Sequence, residues 1–312
     1  MSTARRREMP PGGGFAEMVR AGTRLRIARF TPQGTPRGAF VVLTGRNEFI
    51  EKYYETTADL LDRGFAVHLM DWRGQGLSDH PLADRMKGHV RDFEDYVGDL
   101  EALIERVAME TTAPIFALGH SMGGHILART LATRPATRAR LAGAVLCSAM
   151  MEIDTGRITP AWAGRIAHAL VLFGLGERAI SAPKETGPGF NVLTSDPERA
   201  GDQPHFVAAE PLLDLGAPTF GWLDAAFRSS ALLKRPGAAE AIDLPVLVAV
   251  AGADKVVRPA AERAFAARLP RATLVEIEAA RHEILKERDE LRGRFLAALD
   301  DWLAVIDMQS SR

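Results

Sequence analysis

Gly119-His120-Ser121-Met122-Gly123 decides the fold of this chain. It follows the apolar run Pro114-Ile115-Phe116-Ala117-Leu118 and precedes a helical pattern, Ile126-Leu127-Ala128-Arg129-Thr130-Leu131. Strand, tight turn and helix form the setting in which a Gly-x-Ser-x-Gly pentapeptide presents a nucleophile. The serine on such a turn sits at a strained backbone angle. The residues two before and two after it must lack bulk, because strand and helix crowd together there. With 28 Gly and about ten Ser in 312 residues, composition alone would produce this pentapeptide about 0.08 times per chain.

Outward from the elbow, strands and helices alternate. Residues 15–31 read as an antiparallel hairpin turning at Ala21-Gly22-Thr23. Phe40-Val41-Val42-Leu43, Phe65–Met70, Leu141–Met150, Pro245–Ala251 and Thr273–Ile277 have the continuous apolar character of buried strands. Helical spacing joins Phe49 to Leu61 and Val90 to Val107, and recurs around Ala260–Leu269 and Asp289–Ile306. This alternation predicts an α/β fold: a mainly parallel central sheet, helices on both faces, and a site at the C-terminal strand ends. Residues 151–238 break the pattern and read as a helical cap inserted into a core of 15–150 and 239–312. Residues 1–14, with Arg5-Arg6-Arg7 before Pro10-Pro11-Gly12-Gly13-Gly14, read as a flexible tail.

A serine hydroxyl is a poor nucleophile until a neighbouring base takes its proton, and that base must be held in the right tautomer by a carboxylate. On a sheet of this kind the partners follow the serine in the order acid, then histidine. Val246–Val250 runs into Ala251-Gly252-Ala253-Asp254, and Leu274–Ile277 runs into Glu278-Ala279-Ala280-Arg281-His282. Ser121, Asp254 and His282 are therefore the candidate triad. An acid one strand earlier would be Glu152 or Asp154. His120 is expected to pack the elbow. The oxyanion needs two backbone donors, for which Met122 and Arg46, in the Thr44-Gly45-Arg46-Asn47-Glu48 turn, are the candidates. Glu48 is expected to favour the start of its helix, with contact to a substrate head group as the other reading.

The net charge of -1 offers no electrostatic case for nucleic acid. No His/Cys/Asp cluster has metal-ligand spacing and the triad chemistry needs no cofactor. The single cysteine, Cys147, fits a reducing compartment. No apolar run reaches the ~18–20 residues of a spanning helix. The expectation is a cytoplasmic protein, or one resting peripherally on the inner face of the membrane.

Thr44 to Tyr53, Asp71-Trp72-Arg73-Gly74-Gln75-Gly76-Leu77-Ser78, the elbow and Arg281-His282-Glu283-Ile284-Leu285 together resemble the α/β-hydrolase fold. More narrowly they resemble the lysophospholipase L2 and monoacylglycerol lipase branch of serine aminopeptidase S33-like hydrolases. The resemblance extends into the cap at Asn191-Val192-Leu193-Thr194 and Ala217 to Trp222. It implies an ester hydrolase acting on an acyl ester or lysolipid, with Asp71–Asp79 bracing the site. Monoacylglycerol lipases carry His-Gly where this chain has Thr44-Gly45, which points toward lysophospholipids. A transacylase or amide-cleaving enzyme with the same triad, and a non-catalytic ligand-binding protein, are the other readings. Within the cap, Trp162, Phe173 and Trp222 are the candidates for substrate contact, and the apolar run from Trp162 to Leu175 reads either as lining an acyl channel or resting on a membrane, or as packing onto the main domain.

Overall fold

In the computed structural model, which describes residues 3–180 and 192–310, eight strands form one sheet: β1 (Gly13–Arg20), β2 (Thr23–Phe30), β3 (Gly38–Leu43), β4 (Phe65–Met70), β5 (Ile115–His120), β6 (Gly143–Cys147), β7 (Val246–Ala251) and β8 (Ala272–Ile277). Their spatial order is β1-β2-β4-β3-β5-β6-β7-β8. From β4 to β8 every neighbouring pair is parallel. β2 pairs antiparallel with β4, and β1 closes the hairpin on β2.

Parallel strands need covering on both faces, and the side-chain period of two supplies both coats. In β3, Ala39, Val41 and Leu43 enter one core while Phe40 and Val42 enter the other. The first core contains Phe93, Leu100 and Ile104 of the Phe93–Glu110 helix and Ile126 of the Met122–Thr133 helix. The second contains Leu60 of the Tyr54–Asp62 helix and Phe295, Leu299 and Trp302 of the Asp289–Ser310 helix. Phe40, Phe65 and Phe116 pack together there, with ring centroids 4.9 to 5.8 Å apart. The strands thus run from a packed base to one open edge, where the loops after β3, β5, β7 and β8 gather.

Between β6 and β7 lies the insertion. Its two longest helices, Pro160–Leu172 and Phe220–Leu233, start alike: the Thr159 and Thr219 hydroxyls accept from the N–H of Trp162 and Trp222. They approach closely at Gly164, where a Cβ would lie 3.2 Å from the Phe227 Cβ.

The N-terminus departs from expectation. Thr3–Arg7 is a short helix, and Gly13 and Gly14 already belong to β1. Arg5 pairs with Asp59 at 2.9 Å and Asp62 at 2.6 Å, and Arg7 Nε donates to the buried Asp202 at 2.8 Å. A basic run beside Pro and Gly reads as a solvated tail because its partners lie more than 50 residues away. Those carboxylates tie it down.

Candidate active site

β5 ends at His120, and Ser121 turns the chain into the Met122–Thr133 helix with φ 51° and ψ -116°. This left-handed conformation is costly for a serine and persists only where its surroundings dictate it. Three backbone bonds do so. Ser121 N–H donates to the Cys147 carbonyl, and the Ser121 carbonyl accepts from His125 and Met150, each at 3.0 Å. The glycines are required by contact: a Cβ on Gly119 would lie 2.7 Å from the Gly123 carbonyl oxygen, and one on Gly123 2.5 Å from that of Leu43. Gly124 is equally constrained, with Ala149 Cβ 2.8 Å away.

The loops after β7 and β8 are joined by Gly252 N–H to Ile277 O at 3.0 Å and Ala253 N–H to Ala280 O at 2.9 Å. This zipper brings Asp254 and His282 together. Asp254 Oδ1 accepts from Val256 N–H at 2.7 Å and Val257 N–H at 3.1 Å, while Oδ2 lies 2.7 Å from His282 Nδ1. His282 Nε2 lies 2.9 Å from Ser121 Oγ. A carboxylate can only accept, so Nδ1 carries the proton and Nε2 is left to accept from the serine hydroxyl. Glu152 and Asp154 lie elsewhere: Glu152 pairs with Lys234 and Arg258, and Asp154 lies 3.5 Å from Arg258.

The Arg46 turn is held from several sides. Trp72 Nε1 donates to Thr44 O at 2.8 Å, and Asn47 N–H donates to Gln75 Oε1 at 2.6 Å. Gly45 N–H donates to Glu48 Oε2. Among the described residues no acceptor takes the Arg46 N–H. The Asp71–Asp79 loop therefore braces the site, as expected. Asp71 in turn accepts from Arg26 Nε at 2.7 Å and from the backbone of Ile50 and Leu77. Burial raises the Asp71 pKa to about 6 despite Arg26.

Behind the triad lies a buried network that the sequence reading missed. Glu48 does not simply face the helix start. It accepts from Lys52 Nζ at 2.8 Å and Tyr53 OH at 2.6 Å, and lies 3.2 Å from His120 Nδ1. Lys52 also donates to Glu283 at 2.6 Å. His120 Nε2 reaches the His282 carbonyl at 3.2 Å, so both ring nitrogens of His120 face acceptors and the ring is held as an imidazolium. Burial opposes that charge, but the Glu48 carboxylate outweighs it and the His120 pKa rises above its ordinary value. Burial likewise opposes ionisation of Glu48, yet Lys52 and His120 hold its pKa well below the usual carboxylate range. The i, i+4 spacing of Glu48 and Lys52 was the one local signal for this network.

A cavity of about 330 Å³ opens over Ser121 and His282, with Arg46, Met150, Leu193 and Trp222 among its walls. Of the three cap candidates, only Trp222 lines it. Trp162 and Phe173 are 59% and 82% exposed, and Arg165 stacks 5.1 Å from the Trp162 ring. Their helix instead turns Gly164, Ala169 and Leu172 toward a second apolar groove of about 630 Å³, which shares Ile153 with the first cavity. Hydrophobicity alone does not reveal which way such side chains face. Asn191, quoted above, lies outside the described residues.

A mainly parallel sheet, a serine on a strained strand-to-helix turn and its partners on later strand ends define an α/β-hydrolase. Residues 34–289 match the serine aminopeptidase, S33 family, and the chain belongs to it. It is an enzyme, a hydrolase. It is 33% identical over 300 residues to lysophospholipase L2 of Escherichia coli (strain K12), covering 89% of this chain and 83% of that one. It is 27% identical over 246 residues to the monoacylglycerol lipase of Mycolicibacterium smegmatis, covering 78% and 79% respectively. A soluble variant of monoglyceride lipase from Saccharomyces cerevisiae, solved in complex with a substrate analog, shares the fold. Its TM-score is 0.75 at 20% identity, with 94% of this chain and 96% of that one covered.

Proposed function

We propose that this chain is a serine carboxylic-ester hydrolase acting on a single-chain acyl ester, a lysophospholipid or a monoacylglycerol. The observation that carries the reading is the continuous relay from Ser121 Oγ through His282 to Asp254, at 2.9 and 2.7 Å. Ser121 Oγ attacks the acyl carbonyl as His282 Nε2 takes its proton. The Arg46 and Met122 N–H groups receive the oxyanion. Collapse expels the alcohol, protonated by His282, and leaves an acyl-serine. Water, deprotonated by the same nitrogen, then releases the fatty acid. Asp254 holds the ring and stabilises the imidazolium.

The names of the relatives support a lipid ester, and Thr44 in place of histidine favours the lysophospholipid side. Residues 151–238 serve as the cap that shapes the acyl pocket. The exposed apolar residues Trp162, Ile166, Leu172 and Phe173, on or just after one cap helix, support peripheral contact with a lipid surface. The test is labelling with a fluorophosphonate, followed by a chain-length panel of p-nitrophenyl esters beside lysophospholipids and monoacylglycerols. Ser121→Ala should abolish both labelling and turnover. Unlabelled wild type, or equal labelling of the variant, would refute the reading.

A further inference from the structure

Among the described residues, the charged side chains around the Ser121 cavity other than Arg46 each face an ionisable partner. Lys52 lies between Glu48 and Glu283, His120 faces Glu48, and Asp254 faces His282. Arg46 lines the same cavity and has no carboxylate within ion-pair distance among the described residues. Among the described residues its guanidinium makes a single hydrogen bond, from Nη2 to the Gly216 carbonyl, and its Nε is buried without a partner. The Trp222 ring lies 5.7 Å from the guanidinium carbon.

The other arginines of the interior are built differently. Arg26 faces Asp71 and Glu51, Arg199 faces Glu55 and Asp289, and Arg292 faces Asp59. Burial lowers the pKa of Arg46 to about 10, with no carboxylate to offset it, so the group stays cationic at neutral pH. A desolvated cation without an anion is costly to maintain, and the fold keeps Arg46 in the wall of the cavity that opens over Ser121. A guanidinium offers five N–H donors in a planar fork that matches phosphate oxygens. Arg46 has spent one.

We propose that the Arg46 side chain is the phosphate-recognising element of this active site, taking the headgroup phosphate of a lysophospholipid while Ser121 holds its ester. The inference rests on the ester-hydrolase reading and narrows it from acylglycerols in general to those carrying a phosphate. Arg46 thus contributes twice, through its N–H to the oxyanion and through its guanidinium to the choice of substrate. Because the two roles share a residue, the informative quantity is a ratio of substrates.

The experiment compares 1-oleoyl-glycero-3-phosphocholine with 1-oleoyl-glycerol, which have the same acyl chain and differ in the phosphate. For wild type, kcat/KM should favour the phosphate-bearing lipid. Arg46→Gln should lower that preference by about tenfold or more, chiefly through KM, and Arg46→Lys should keep part of it. A ratio unmoved by Arg46→Gln, including a parallel loss on both lipids, would overturn the inference and leave the side chain only the tie to Gly216. An assay independent of any variant uses wild type and a p-nitrophenyl ester: glycerophosphocholine should inhibit competitively where glycerol does not. Equal inhibition by the two, or none, would also overturn it. Hydrolysis of no ester whatever would sink the ester-hydrolase reading and this inference with it, whereas turnover with an unmoved ratio sinks this inference alone.

Discussion

Asp254→Asn isolates the tautomer of His282. The Val256 and Val257 N–H groups point at Oδ1 at 2.7 and 3.1 Å, so the asparagine must place its oxygen there. Its NH2 group then occupies the Oδ2 position, 2.7 Å from His282 Nδ1. An amide NH2 only donates, so Nδ1 must accept and the ring proton moves to Nε2. That proton faces Ser121 Oγ at 2.9 Å, where a base is needed. With geometry intact and the tautomer wrong, kcat should fall by about 10⁴-fold, or about 5 kcal/mol of barrier. The assay is steady-state hydrolysis of a p-nitrophenyl ester, with circular dichroism and a melting curve to show that both backbone contacts survive. A loss smaller than about tenfold in a folded variant would refute the assignment of Asp254 and reopen the question of which acid serves His282.

Gly123→Ala would drive a Cβ to 2.5 Å from the Leu43 carbonyl oxygen and 2.6 Å from that of Thr44, both fixed backbone. A cost of about 1–3 kcal/mol is expected, seen as a lower melting temperature, together with loss of turnover as the Arg46 turn is displaced; a variant with wild-type values on both counts would contradict the packing argument. His120→Gln tests the imidazolium. Because the His120 pKa is raised in the folded protein, its contribution is full below the ordinary histidine value and is lost as pH rises through the folded one. The wild-type melting temperature should therefore fall more steeply than that of the variant above about pH 6.5, and parallel curves would argue against the charge. Lys286 is buried, with Nζ 3.7 Å from Asp202 and 3.9 Å from Glu55, and burial lowers its pKa to about 8. Both carboxylates retain arginine partners, so Lys286→Met should leave stability at pH 7 unchanged or raise it by about 1 kcal/mol. Denaturant unfolding would expose an error as a clear destabilisation.

What the sequence makes legible is what local chemistry enforces. The elbow is readable because strand, serine and glycines are contiguous, and the two loops after β7 and β8 are readable because each directly follows an apolar run. The order acid, then histidine, places both at the same edge of the sheet. The Thr3–Arg7 helix is illegible for the opposite reason, since no five-residue helix is stable alone and its anchors, Asp59, Asp62 and Asp202, are distant in the chain.

The same distinction explains the apolar residues between β6 and β7. Trp162, Phe173 and Trp222 look alike in composition, yet only Trp222 faces the cavity, because the facing of an apolar residue is fixed by what packs against its helix. Arg46 illustrates the limit most clearly. In the sequence it is the third residue of a turn, valued for its N–H. Only when each carboxylate around Ser121 has been matched to its own ionisable partner does its guanidinium stand out, with one carbonyl contact and no ion pair among the described residues. An uncompensated charge belongs to an arrangement, and no motif encodes it. Specificity in this enzyme is therefore to be sought in the charge balance of the cavity walls, where the elbow and its two partners leave it undetermined.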